Sequence, residues 1–490
     1  MLFSCGRIKP SHLKNEISFL CRKNHHKKGM KENTSRLTQA VVILERISSI
    51  FIVSLVLVFQ YNILFFIFVV NARNAYFMAK HAKNLYFCCD MIKIKAEKRR
   101  RFFMIYAAIV GTGNISASHI QGLMTFPERC KIAALVDIYP EKAEAAKVKY
   151  QLEDAQVFDS HEALLSSGLK IDLVHVCTPP SSHAQIAIDS MKAGCNVLVE
   201  KPMAPSLKEC DAMLEAEKKY GVTMGIVAQN RFRNSIYKLK KAADSGLAGK
   251  VRCAHVNSLW WRGHCYYDLW WRGTWEKEGG GPTLNHAVHH IDMINWIQGG
   301  LPEEVTSVLA NVMHDNSEVE DLSFAALLYE DGSVAEVTSS VVHHGEEQGI
   351  VLQCEKAKLA APWSCVAEVT QTNGFPVPEH NRELMKELDD FYESIEDLPY
   401  EGHTGEIENV LSALENGTRP FITGEDGRKT VELITAIYKA GFQKRTVSLP
   451  ILKEDEYYTM EGILKNAVHF YEKSASVENF TSGEITVGNY

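Results

Sequence analysis

Ile105–His119 reads IYAAIVGTGNISASH. An apolar run of strand length, IYAAIV, breaks at Gly111-Thr112-Gly113 and continues in residues of helix-like composition. A strand that turns on glycines into a helix is the entry to a dinucleotide-binding βαβ unit. The glycines let the main chain turn tightly and approach a pyrophosphate. The helix start offers N–H groups and the positive end of its dipole to that anion. Ser116 stands where the usual pattern has its third glycine, so the match is G-x-G-x-x-S, and an ordinary strand–turn–helix fits the same letters. Gly111, Gly113, Asn114 and Ile115 are the candidate cofactor contacts of this loop.

Downstream the pattern alternates. Ile132–Asp137 reads as a second strand, Glu141–Leu152 as a helix, Ile171–Cys177 as a strand and Ser182–Ala193 as a helix. Asn196–Glu200, Leu207–Tyr220 and Val222–Gln229 continue as strand, helix and strand. This is the signature of an α/β fold with a parallel sheet, in which ligands bind at the C-terminal ends of the strands. Three polar stretches fall there: Asp137, Thr178–His183 and Glu200-Lys201-Pro202. Asp137 lies 24 residues beyond Gly113, where an acid accepts from both ribose hydroxyls and repels a 2′-phosphate, favouring NAD over NADP. A helix-capping Asp before Tyr139-Pro140 is the plainer reading of the same residue. An ammonium fixed at Lys201 can hydrogen-bond a reacting hydroxyl and hold its developing negative charge.

With GTGNISASH (111–119), CTPPSSH (177–183), VLVEKPM (197–203), GGGPTLNHAVHHID (279–292) and GEDGRKTVELITAIY (424–438) in order, residues 104–450 resemble the Gfo/Idh/MocA family of glucose–fructose oxidoreductases and inositol dehydrogenases. The resemblance implies a Rossmann nucleotide-binding domain over 104–228. An α+β domain with an open antiparallel sheet follows over 229–451, often used for oligomer contacts, and 452–490 is left as a tail. It implies Lys201 as the catalytic lysine, with a cis bond to Pro202, and Thr178, Pro179, His183 and Glu200 beside the cofactor.

Leu259–Trp275, LWWRGHCYYDLWWRGTW, holds five of the seven tryptophans and repeats LWWRG ten residues apart. Aromatic faces suit sugar rings, and arginines suit carboxylate, phosphate or hydroxyls, which makes Trp271 and Arg272 candidate substrate contacts. A core or dimer-contact cluster has the same composition. Thr283–Gln298 reads as a helix on which Asn285 and His289 share a face and Asp292 can orient the His289 imidazole. His289 is then the proton acceptor, near neutrality by its ordinary pKa. Asn285 stands where the family commonly has Asp. Unable to act as a base, it positions the substrate or bonds the lysine, and His286 and Asp292 join the expected substrate contacts. His286, His289, His290 and Asp292 also suggest a metal, but their helical angles spread, and no metal is expected. From Glu303 the pattern alternates as EVTSVLANVM, DLSFAALLY, SVAEVTSSVV and GIVLQCEK, with a hairpin turn at Asp331-Gly332. One face of such a sheet needs cover, which predicts a homo-oligomer, a dimer or tetramer.

Residues 1–103 carry 19 Lys+Arg and 5 Asp+Glu, a net of +14, while the remainder has 34 against 55, a net of −21. The acidic remainder argues against nucleic-acid binding. Ile47–Val70 is 24 residues without a charge and reads as a transmembrane helix. Alternatively the basic leader is dispensable, Met104 being a natural start. Twelve cysteines without C-x-x-C spacing fit free thiols in a reducing compartment. The expectation is a cytoplasmic NAD-dependent oxidoreductase, membrane-tethered only if 47–70 is retained. It moves hydride to or from a secondary hydroxyl of a sugar, cyclitol or sugar-nucleotide. The alternatives are an NAD-dependent glycosidase working by transient oxidation and a non-catalytic NAD-binding sensor.

Overall fold

The computed structural model describes residues 51–59, 62–70, 104–474 and 476–477. They fall in two units, within Met1–Arg101 and within Phe102–Tyr490, each taken by itself. The first unit contributes an antiparallel pair, β1 (Phe51–Phe59) and β2 (Asn62–Val70), with Phe59 opposite Asn62. A helix over 47–70 is therefore replaced, in its described part, by two strands. The run is rich in Ile, Val and Phe, a composition that favours strands. Residues 47–50 and 60–61 lie outside the described residues, among which no helix is long and apolar enough to cross a membrane.

In the second unit β3 (Ile105–Val110) leads through the glycine loop into α1 (Ser116–Met124). β4 (Cys130–Val136), α2 (Pro140–Lys149), β5 (Gln156–Phe158), α3 (His161–Ser166) and β6 (Leu173–Val176) follow. α4 (Pro180–Lys192), β7 (Asn196–Val199), α5 (Leu207–Tyr220) and β8 (Met224–Ile226) complete this half. The six strands are parallel in the order β5-β4-β3-β6-β7-β8. Both faces of β3 and β6 are buried, so β3 reads as an unbroken apolar run and β6 as one interrupted only by His175. The strand order reverses between β3 and β6, which opens a crevice at their C-terminal ends, the topological switch point.

α6 (Asn234–Asp244) leads into the second sheet, whose first strand is β9 (Val251–Trp261). A short helix α7 (Pro282–Asn285) and α8 (Val288–Gln298) precede β10 (Glu304–Ala310), β11 (Leu322–Leu328), β12 (Val334–Ser340) and β13 (Val342–Cys354). β14 (Lys358–Ala361), β15 (Ser364–Val366) and β16 (Val447–Ser448) complete the order β15-β14-β13-β9-β12-β11-β10-β16. Every pair is antiparallel except β9 with β12, so the expected open antiparallel sheet is present, with one parallel pair inside it. The long excursion from β9 through α8 returns the chain in the same direction. Asp331-Gly332 makes the hairpin turn between β11 and β12, with Gly332 at φ +77°. α9 (Arg382–Ser394) and α10 (Gly402–Asn416) follow, and α11 (Gly424–Gln443), opened by a Thr423/Asp426 capping box, packs on β10. Gly441 lies within this helix. A Cβ there would sit 2.4 Å from Leu309, so the glycine lets helix and sheet approach.

The tail, silent as sequence, folds back on the aromatic segment. Phe470 N donates to Glu318 O, Trp275 Nε1 to Val468 O (3.1 Å), Trp270 N to Val477 O and Val477 N to Asp268 O. The eight cysteines among the described residues are all free.

Candidate active site

Gly111 adopts φ +92°, and a Cβ on it would lie 2.6 Å from the Cys177 carbonyl oxygen. It is a glycine because the loop must pass against the end of β6. A Cβ on Gly113 would meet nothing within 4 Å, which leaves the space above the α1 N-terminus open to a pyrophosphate. Asn114 and Ile115 lead into α1, where Ser116 Oγ turns back to donate to Gly113 O (2.6 Å). Asp137 follows β4, and its Oδ2 accepts from Thr112 N (2.9 Å) and Thr112 Oγ1 (2.8 Å). The acid thus stands beside the glycine loop at the strand end, as ribose recognition requires. It also accepts from Tyr139 N (3.0 Å), the capping bond of its plainer reading.

Thr178 and Pro179 line the end of β6 at the start of α4. Two expected cofactor contacts are placed elsewhere. His183 is buried, its ring nitrogens 2.7 and 2.9 Å from the carbonyl oxygens of Thr178 and Pro202, and it pins those two loops together. Glu200 points inward. Its Oε1 lies 2.9 Å from His119 Nε2 and 3.5 Å from His403 Nε2, and its Oε2 accepts from Lys201 N (3.1 Å). Burial would raise the Glu200 pKa, but the bonds from His119 and His403 overcome this and hold it well below the usual range. His119 Nδ1 in turn meets His175 Nδ1 at 2.8 Å. Among the described residues, His119, Glu200 and His403 form the one group whose atoms are close enough to share a cation, and here they bond to each other. The four residues of the expected metal reading do not converge, because Asp292 belongs to another pair.

The Lys201–Pro202 bond is cis, and Lys201 Nζ donates to the Asn285 carbonyl oxygen (3.3 Å). Lys201 and His289 line one small pocket with Pro202, Val288 and Asp292. Burial, then Arg272 against the pull of Glu200 and Glu278, lowers the Lys201 pKa. The His289 pKa is well below its usual value through burial and then Lys201, so the ring is a neutral acceptor at pH 7. His286 is likewise held neutral by burial and then by Arg262, Arg272 and Lys201.

The predicted single helix over 283–298 breaks between Asn285 and Val288, so Asn285 and His289 are not related by one helical turn. Before the break, Asn285 Nδ2 turns back to Gly280 O (2.8 Å) and Gly281 O (3.3 Å), while Asn285 N keeps its helical bond to Gly281 O (3.0 Å). Asn285 therefore meets Lys201 through its main chain. Asp292 does not orient His289. Its carboxylate takes a two-pronged bond from buried Arg231, Nε to Oδ2 at 2.8 Å and Nη2 to Oδ1 at 2.7 Å. Arg272 lies 4.3 Å from the ring centres of Trp271 and Tyr266 and donates to Glu278 Oε1 (3.0 Å). Tyr266 in turn is 6.0 Å from His286, which joins this wall to the lysine. Of the other tryptophans, Trp275 is core and Trp261 stacks on His344 at 3.7 Å.

The sequence description "Oxidoreductase family, NAD-binding Rossmann fold" matches residues 105–227, and "GFO/IDH/MocA C-terminal domain" matches 236–360. The chain belongs to the Gfo/Idh/MocA family. Within it, the chain is 26% identical over 371 residues to 2,7-anhydro-N-acetylneuraminate hydratase of Mediterraneibacter gnavus, covering 70% of this chain and 96% of that one. It is 27% identical over 345 residues to myo-inositol 2-dehydrogenase of Thermotoga maritima, covering 70% and 97%. Among solved structures it resembles the WlbA dehydrogenase of Bordetella pertussis, in complex with NADH and UDP-GlcNAcA. The TM-score is 0.60 at 27% identity, over 71% of this chain and 98% of that one. The Gfo/Idh/MocA nucleotide domain binds NAD, and the open glycine loop with Asp137 beside it fits that cofactor here.

Arg231, Glu278, Tyr266, His175 and His403 lie outside the Gfo/Idh/MocA motifs, and His119 closes the first of them without having been given a role. Arg231 sits 61 residues from Asp292, and no local spacing connects them. A buried acid needs a buried base, which is the only sequence-level signal.

Proposed function

We propose that the chain is an NAD-dependent dehydrogenase acting on a secondary hydroxyl of a sugar, cyclitol or sugar-nucleotide. The observation that carries this reading is the pairing of Lys201 and His289 around one pocket at the C-terminal strand ends. NAD, when bound, supplies the hydride acceptor at its nicotinamide ring. The neutral His289 imidazole takes the hydroxyl proton. The Lys201 ammonium, anchored by the Asn285 carbonyl, donates to the same oxygen and stabilises its growing charge. Gly111, Gly113, Asn114 and Ile115 frame the phosphates, Thr178 and Pro179 border the cofactor, and Asp137 selects NAD through the ribose. Trp271, Arg272 and His286 form the sugar-facing wall. The test is reduction of NAD by a panel of sugars, inositols and sugar-nucleotides, followed at the NADH absorbance band with purified protein. A panel without a single responding compound refutes it.

The likeness to a hydratase favours a second reading, in which the hydride returns to the product and no NADH accumulates. Product formation without net NADH distinguishes the two. A homo-oligomer follows from the outer face of the second sheet, where Val308 (62% exposed) pairs with Phe324 (47%) and Leu328 with Val334 (42%). Phe324→Glu should lower the assembled mass measured by light scattering. We place the enzyme in the cytoplasm on its free thiols, detectable by fractionation.

A further inference from the structure

We infer that Glu278 neutralises the sugar-facing wall and sets this site for uncharged polyols, rejecting rings that carry a carboxylate. The inference rests on the dehydrogenase reading above and narrows it.

The wall holds three cations around His286, and both arginines among them have a carboxylate of their own. Arg272 Nη1 donates to Glu278 Oε1 (3.0 Å) and to Tyr266 Oη. Arg262 Nη1 donates to Glu346 Oε1 (2.8 Å). Lys201 adjoins Glu200, which accepts from the lysine's own main-chain N–H (3.1 Å). A fourth cation, Lys473 from the tail, donates to the Tyr267 carbonyl and faces Asp268, Glu278 and Glu318. Neither arginine of the wall is left unpaired, and Lys201 Nζ, held by the Asn285 carbonyl, is kept for the reacting oxygen.

Glu278 is the decisive partner. Its side chain is 2% exposed, against 20% for Arg272, so of the pair the arginine is the more accessible and the carboxylate the more deeply buried. Both carboxylate oxygens are used: Oε1 by Arg272 and Oε2 by Gly273 N (2.6 Å). The guanidinium is held flat between the rings of Trp271 and Tyr266 and cannot turn to another partner without leaving both. A ring hydroxyl can accept from its outward N–H groups while the Glu278 bond stays intact. A ring carboxylate would either draw Arg272 away, leaving Glu278 buried and unpaired, or sit next to Glu278 uncompensated. Both outcomes are strongly unfavourable, so discrimination comes from repulsion built into the site as much as from attraction. In the sequence Glu278 is merely the residue before three glycines.

The experiment uses the full chain and sugars differing only in a hydroxymethyl or carboxylate group: glucose and glucuronate, galactose and galacturonate, N-acetylglucosamine and its uronate. Two readouts are taken, kcat/KM with NAD and Kd by quenching of tryptophan fluorescence in the NADH-loaded protein. The neutral member should be favoured by about 100-fold, the scale of discrimination when a buried polar partner is stranded. Glu278→Gln, which keeps an acceptor for Gly273, should cut that ratio below about tenfold by improving the uronate, and Arg272→Gln should widen it. A uronate equal to or better than its neutral twin in the unaltered protein overturns the inference, as does failure to bind any neutral ring. So does an unchanged ratio in folded Glu278→Gln. If that variant does not fold, the unaltered ratio and Arg272→Gln decide. If no compound reduces NAD, the dehydrogenase reading fails, and the binding ratio still judges this one.

Discussion

Lys201 Nζ and the Asn285 carbonyl oxygen lie 3.3 Å apart, joining the last turn of the nucleotide crevice to the broken helix of the second sheet's half. The lysine is thereby aimed by main chain, which does not change its charge. Lys201→Met should lower kcat by about a thousandfold, the usual cost of an oxyanion donor or positioned acid. NADH affinity, read by fluorescence, should stay within a few-fold. Unchanged turnover would remove Lys201 from the reaction.

His289 must be neutral to take a proton, and burial with Lys201 nearby pushes its pKa well below 6.5. Oxidation should therefore stay active as pH falls through 6.5 and lose kcat/KM only at more acid pH, where the ring protonates. His289→Gln should be slow and should lack this acid limb. A limb at or above pH 6.5 in the parent enzyme contradicts the assignment.

Buried His290 bonds to the main chain of His286, and burial pushes its pKa down to about 3. Between pH 6.5 and that value the unfolded chain holds the proton and the folded chain does not, so stability falls as pH falls. From pH 7 to pH 5 the loss from this one residue is about 2 kcal/mol. His290→Leu should remove that share of the pH dependence in denaturant unfolding.

Gly111 and Gly113 should separate. Gly111→Ala forces a Cβ to 2.6 Å from the Cys177 carbonyl at φ +92° and should cost about 1–3 kcal/mol of stability. Gly113→Ala meets no protein atom within 4 Å, so its thermal midpoint should hold while NADH affinity drops at least tenfold. Equal affinity in Gly113→Ala would place the pyrophosphate elsewhere.

What the sequence conveys follows from how far apart the interacting groups are. The parallel sheet was legible because β3, β6 and β7 are short, mostly apolar runs bounded by glycine, proline or a polar strand end. Lys201, Asp137 and Thr178 were read as strand-end residues, and the fold puts them at strand ends; their roles toward cofactor and substrate are those proposed above. Partners distant in sequence were not. Asp292 was given to His289, its neighbour along the chain, whereas the fold gives it to Arg231. His183 and Glu200 carry family motifs, yet their polar atoms are turned to carbonyls and histidines inside. The break after Asn285 lies inside a segment whose apolar pattern runs on through it, so helical periodicity does not register it. Apolar residues 51–70 carry no period that separates strands from a helix, and composition, not length, was the better guide.

The strap formed by residues 468–474 and 476–477 bears on the order in which the protein is made. Lys473 reaches the Tyr267 carbonyl across 206 residues of chain, and residues on either side of it hold Trp270 and Trp275. The dinucleotide cradle itself waits for Ile407, Val410 and Leu411 of α10, which share a core with Ile109 and Ile120. The strap leaves the ribosome later still, so the wall meant for sugar is tied down only after the cradle it faces.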